Sequence, residues 1–115
     1  MNDPTGSGFL VDCPARLVTE ILSDKWAPLV IFGLRKGPCR HGELVDLIGG
    51  VSRKVLTETL RRLQEYGPVE RLESPPRLIH YRLTSLGQTL VAPIVMLNDW
   101  ARKHADAVTE LSAAR

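Results

Sequence analysis

The chain has 115 residues, 43% of them hydrophobic and 24% charged, with a formal net charge of +2. Such a length and composition describe one folded domain with a modest core and exclude a disordered chain. No run reaches the roughly 18 apolar residues of a membrane span, and no charged-then-apolar leader opens the chain. Cys13 and Cys39 have neither metal-ligand spacing nor a disulfide framework around them, so a reduced, cytoplasmic protein is expected. The small net charge does not by itself mark a nucleic-acid binder; clustering has to. From Arg53 to Arg82, the basic residues Arg53, Lys54, Arg61, Arg62, Arg71, Arg77 and Arg82 outnumber Glu58, Glu65, Glu70 and Glu73. Arg40 lies just upstream.

In chain order, residues 1–12 read as a flexible tail ending in a short segment able to dock. Cys13-Pro14 looks like a helix start, and Leu17, Val18, Ile21 and Leu22 give that helix one apolar side. Ser23-Asp24-Lys25 breaks it. Residues 26–34 (WAPLVIFGL) predict a buried helix with Pro28 in its first turn, stopped by Arg35-Lys36-Gly37-Pro38. Cys39-Arg40-His41 reads as a short extended piece. Leu44, Leu47 and Ile48 then mark a third helix of about two turns.

Gly49-Gly50 turns the chain into residues 51–66 (VSRKVLTETLRRLQEY). Ser52 is the N-cap candidate, and Leu56, Leu60 and Leu63 fall on one stripe with Val55 beside them. The opposite face carries Arg53, Lys54, Thr57, Glu58, Arg61 and Arg62. Read alone, this is an amphipathic surface helix with a solvated basic face. Two short helices, a glycine turn and a longer helix with a polar outer face make the pattern of a helix-turn-helix.

After Tyr66-Gly67-Pro68 the period changes to two. Residues 69–72 and 79–83 alternate apolar with polar around a Ser74-Pro75-Pro76-Arg77 tip, which predicts a hairpin, or wing. Thr84 is the N-cap candidate of a last long helix with Leu86, Leu90, Ile94, Leu97, Ala101, His104 and Val108 at spacings of three and four. Pro93 should kink it. Residues 109–115 should fray. This helix is apolar over much of its surface, Met96 and Trp100 included. It can pack back on its own core or form a dimer interface.

Several motifs together resemble the HxlR-type family of bacterial winged helix-turn-helix transcriptional regulators. They are Cys13-Pro14, Lys25-Trp26, Arg40 with Gly42-Glu43-Leu44, residues 51–57, Leu60-Arg61-Arg62-Leu63, Pro75-Pro76-Arg77, and Tyr81-Arg82-Leu83-Thr84 with Gly87. The resemblance spans roughly Cys13 to Trp100. It implies an α+β, mainly helical fold, a winged helix-turn-helix with additional N- and C-terminal dimerisation helices, occupying residues 13–108. It also implies a homodimer on double-stranded DNA. Some members respond to an oxidant or electrophile through the cysteine matching Cys13. The chain departs from the family pattern at Asp24 (commonly Gly), at His41 (commonly another aromatic), at Pro68 (commonly aliphatic) and in a short wing between Arg71 and Tyr81.

The expected DNA contacts are Ser52, Arg53, Lys54, Thr57 and Arg61 on residues 52–66, with Arg77 on the wing (residues 69–83), Arg40 and Lys25. The first turns of such a helix reach base edges in the major groove; Arg61, further along, meets phosphate. Lys25 has a rival reading as a solvated loop lysine, Arg40 as a partner of Glu43, and Arg77 as a tip exposed to water. Cys13, at a helix N-terminus, is the redox-sensing candidate, with a packed interface cysteine as the alternative. Cys39 reads as a small buried residue. Leu17, Leu90, Ile94, Leu97, Trp100 and Ala101 are the expected dimer interface. No metal site, cofactor or catalytic constellation is expected, and an enzyme is argued against. Two rivals remain: a winged-helix module that binds an acidic protein, and a thiol-reactive enzyme centred on Cys13. A two-fold dimer predicts a near-palindromic operator with half-sites about 34 Å, or a multiple of it, apart.

Overall fold

The computed structural model describes residues 19–113 other than Leu22. From residue 27 onward, five helices and one hairpin follow each other: α1 (Ala27–Gly33), α2 (His41–Ile48), α3 (Arg53–Tyr66), β1 (Val69–Ser74), β2 (Leu78–Leu83), α4 (Ser85–Lys103) and α5 (Ala105–Ala113). The fold is mainly helical with one two-stranded antiparallel sheet, a winged helix-turn-helix. Residues 19–21 and Ser23 are also helical, and Ile21 is buried. Cys13 and Leu17 lie outside the described residues.

The leucine stripe does what its spacing predicts. Leu56, Leu60 and Leu63 are fully buried, and α3 packs against α1, α2 and β1. Val30, Ile31, Leu34, Leu44, Val69 and Leu83 complete the core from the other elements. Burying side chains of this size contributes about 1.5–3 kcal/mol each relative to exposure, which holds α3 in place. Buried Thr59 is polar, and its Oγ1 donates to the Val55 carbonyl at 2.9 Å, so no buried polar group is left orphaned there.

α1 is buried on one side only: Leu29 is 46% exposed, where the run of apolar residues suggests burial all round. α2 begins at His41, so the extended piece shortens to Cys39-Arg40, and the Cys39 N–H and carbonyl pair with Tyr81 at 2.9 and 2.8 Å. Leu47, expected on the inner side of α2, is 60% exposed. An added Cβ at Gly33 would come within 3.3 Å of Leu47 Cδ2 and 3.4 Å of Leu44 Cδ2, so α1 and α2 meet closely at this glycine.

The hairpin register runs from Val69 opposite Leu83 to Ser74 opposite Leu78. Its base is buried and its tip is exposed. Thr84 caps α4 by accepting from the Gly87 N–H at 3.2 Å, and its hydroxyl donates to the Gly67 carbonyl at 2.6 Å. Gly87 sits so close to the backbone of Pro68 that a Cβ there would be 2.1 Å from the Pro68 carbonyl oxygen. α4 therefore docks on the turn that ends α3. It then runs through Pro93 without losing its helical course and stops at His104. Pro93 is exposed, so the carbonyl left without a donor can be hydrated. At His104 both the backbone N–H and ring Nδ1 turn to the Trp100 carbonyl, at 3.1 and 2.9 Å. Beyond it α5 is helical to Ala113, past Thr109 where fraying is expected from sequence.

Candidate nucleic-acid interface

Ser52 has extended backbone (φ −76°, ψ 156°), and its Oγ accepts from the Val55 N–H at 3.1 Å. This N-cap leaves other first-turn N–H groups of α3 to solvent or to an anion. Arg53, Lys54, Thr57 and Arg61 follow on the exposed side, opposite the buried leucines. The structure thus brings five of the sequence-predicted residues onto one face.

The remaining three approach from neighbouring elements. Arg40 directly precedes α2, and its backbone N–H, rather than its guanidinium, donates to Glu43 Oε1 at 2.9 Å. The expected rival pairing with Glu43 is therefore a helix cap, and the Arg40 side chain stays exposed. Lys25 lies in the loop before α1 with its ammonium 5.0 Å from the Trp26 ring centroid. That ring reaches within 4.0 Å of the Cβ position of Gly50, the turn before α3. Arg77 is exposed at the wing tip at φ 138°, its N–H donating to the Ser74 carbonyl at 2.9 Å.

Charge pairing divides the cations. Arg62 pairs with Asp24, Arg71 with Glu73 at 3.7 Å, and Arg82 with Glu70. Among the described residues, Arg40, Arg53, Lys54, Arg61 and Arg77 have no carboxylate partner within ion-pair distance. Unpaired, exposed cations on one face are what a phosphate backbone selects.

Two features of this site escape sequence reading. The first is Asp24. Its Oδ1 accepts from the Trp26 and Ala27 N–H groups at 2.9 and 3.1 Å, starting α1, while Oδ2 receives Arg62 Nη2 at 2.5 Å and Nε at 3.1 Å. Arg62 Nη2 also reaches Thr59 Oγ1 at 3.3 Å. One carboxylate thus ties the start of α1 to the second half of α3 and draws Arg62 away from the outer face. Burial pushes the Asp24 carboxyl up, but the Trp26 N–H, the Arg62 guanidinium and the Ala27 N–H outweigh it and hold it below the ordinary 3.8. The second is His41, whose Nε2 lies 3.0 Å from Thr57 Oγ1. Both pairs join residues far apart in sequence, and no linear spacing announces them.

Cys39 is a half-buried free thiol whose Sγ donates to the Gly37 carbonyl at 3.8 Å. Burial, then the Glu43 carboxylate, pushes it above the ordinary 9.0, so it is held as the unreactive thiol.

A separate surface runs along α4. Ile94 is buried in the chain's own core and Leu90 packs against that core. Leu97, Trp100, Met96 and Leu86 are exposed at 50%, 55%, 70% and 46%, and Ala101 is half-buried. Leu97 also lines an apolar groove of about 480 Å³ with Pro28, Leu29 and Phe32 of α1. Of the expected interface residues on α4, Leu97 and Trp100 therefore present the most free apolar surface.

Residues 21–109 match the family described as HxlR-like helix-turn-helix. The uncharacterized HTH-type transcriptional regulator YtfH of Escherichia coli strain K12 is 35% identical over 97 residues, 83% of this chain and 77% of that protein. The solved transcriptional regulator YtfH of Salmonella typhimurium is 31% identical, with a TM-score of 0.73, over 89% of this chain and 93% of the other. The diamide-treated form of YodB from B. subtilis is 32% identical, with a TM-score of 0.68, over 81% and 95%.

Proposed function

This chain belongs to the HxlR-like helix-turn-helix family of transcriptional regulators, and we propose that it acts without enzymatic chemistry, as a cytoplasmic homodimer on a near-palindromic duplex. α3 enters the major groove, and the hairpin lies on the backbone or minor groove. The observation that carries this is the face of α3: Arg53, Lys54, Thr57 and Arg61 exposed, with none of its three cations ion-paired among the described residues. Arg53, Lys54 and Thr57 lie where bases are read. Ser52, Arg61, Arg40, Lys25 and Arg77 grip phosphate. Leu97 and Trp100 bring the second copy onto α4, with Leu90 and Ala101 beside them and Ile94 bracing the helix from within; Leu17, which lies outside the described residues, is assigned to the interface on the family resemblance alone. Among the described residues no helix is long and apolar enough to cross a membrane.

Cys13 lies outside the described residues, and its sensing role rests on the family resemblance and on the similarity to YodB, which has been solved after diamide treatment. The effector is a small oxidant or electrophile that alters the spacing of the two α3 helices. Diamide should change operator affinity in the wild type and leave Cys13→Ser unaffected; an equal response in both removes Cys13 from the mechanism.

Selection of duplexes from a random-sequence pool tests the whole reading. Enrichment of a near-palindrome is expected, with clearly weakened binding in the Arg53→Ala, Lys54→Ala double variant. Undiminished affinity in that variant would overturn the reading and favour a module for an acidic protein partner. Consumption of oxidant beyond one equivalent per chain would instead favour a thiol enzyme.

A further inference from the structure

His41 is joined to one of the proposed DNA contacts, Thr57. Its Nε2 lies 3.0 Å from Thr57 Oγ1. The Thr57 hydroxyl has a single proton, and that proton is donated to the Arg53 carbonyl at 2.9 Å. The Thr57 oxygen is then the acceptor for His41, and Nε2 carries the hydrogen. In the neutral ring Nδ1 is left as a bare lone pair, which repels an anion. One added proton makes Nδ1 a donor and the ring a cation.

The surroundings supply the anion's reason to come. His41 opens α2 next to exposed Arg40, and Arg53 Nη1 lies 3.9 Å from the Cβ position of Gly42. The ring therefore sits between the start of α2 and the outer face of α3, amid cations without ion pairs. We infer that His41 is a proton-coupled DNA contact, anchored to Thr57 through Nε2 and gripping a backbone phosphate through Nδ1 only when protonated. DNA binding then takes up one proton at this ring, which gives this chain a pH-dependent affinity. The inference rests on α3 lying against DNA.

The other ionisable groups nearby come from defined elements. α2 itself carries Glu43 and Asp46; α3 carries Arg53, Lys54, Glu58 and Arg61 around Thr57. β2 carries His80, Tyr81 and Arg82, the last paired with Glu70. α1 has no ionisable side chain, and Arg35 just beyond it stacks on Phe32 at 3.8 Å. Of these groups His80 is the other imidazole, and it needs its own control.

The probe is a duplex enriched from a random pool by the full-length wild-type protein. Its Kd is measured by fluorescence anisotropy from about pH 6 to about pH 8 at constant ionic strength. Wild-type affinity should weaken about tenfold over that range, because the bound form holds the extra proton. His41→Gln keeps an N–H for Thr57 but cannot take a proton, so its affinity should be flat with pH. His80→Gln and His104→Gln should keep the wild-type slope. Calorimetry in two buffers of different ionisation enthalpy should find uptake of about one proton in the wild type and none in His41→Gln. A flat wild-type profile, or a slope that survives in His41→Gln, overturns the inference while leaving DNA binding intact. Equal binding by Arg53→Ala, Lys54→Ala instead overturns the placement of α3, and this inference with it.

Discussion

α3 and α4 are both amphipathic, and each buries one side in the same core, yet their outer faces have opposite chemistry. α3 turns Arg53, Lys54, Thr57 and Arg61 outward, whereas α4 turns out Leu86, Met96, Leu97 and Trp100. A cationic face without ion pairs suits a polyanion, and its affinity falls with salt. An exposed apolar face suits another protein surface, and its burial responds little to salt. The two helices thus separate two tasks: gripping DNA and setting the distance between two grips. Gly87 couples them, because it lets α4 dock on Pro68 at the end of α3.

The coupling should be the easiest thing to break. Gly87→Ala puts a Cβ against a backbone carbonyl that cannot rotate away, and thermal or urea unfolding should show a loss of about 3 kcal/mol. Next comes the DNA face. Arg53→Ala with Lys54→Ala should cost about 2 kcal/mol, or ~30-fold in operator Kd, with a shallower salt dependence and unchanged circular dichroism. The apolar face follows: Leu97→Ala with Trp100→Ala should weaken the dimer about tenfold by analytical ultracentrifugation while leaving the fold of each protomer intact. A dimer of wild-type strength there would place the second copy elsewhere.

The smallest effect belongs to Asp24. Its carboxyl is held below 3.8 in the folded chain, so the stability it lends is present above that value and is lost as pH falls through the lowered one. Asp24→Ala should cost about 1 kcal/mol near neutrality, mostly as the lost acceptor for the Trp26 and Ala27 N–H groups, since the Arg62 partner is 44% exposed and screened by solvent. The acid unfolding limb of the variant should be flatter below about pH 3.8. An identical acid limb in both proteins would mean that the Asp24–Arg62 pair carries no stability.

Much of this molecule was legible from residue order. The spacing of Leu56, Leu60 and Leu63, the Ser52 and Thr84 caps and the alternation on either side of Pro75-Pro76 are local signals, and the elements appear where they place them. The exposed cations of α3 were legible too, because a buried stripe leaves its complement outside. Other features were not. Leu47 and Leu29 look like core residues by type, but their exposure depends on which helix comes to cover them. Pro93 marks an expected kink in α4, and the helix is continuous through it; its end is at His104, which stacks on Trp100 with ring centroids 4.8 Å apart.

Helix periodicity and capping act over a few residues, so residue order alone sets the succession of elements, the inner side of α3 and the chemistry of its outer side. Which cations stay unpaired is set instead by packing across the fold. Arg61 and Arg62 are neighbours of the same type, but Asp24, brought in from the start of α1, takes Arg62 and leaves Arg61 exposed. In the same way His41 reaches Thr57 only because α2 packs on α3. Such pairings depend on distances across the fold, which no local pattern encodes.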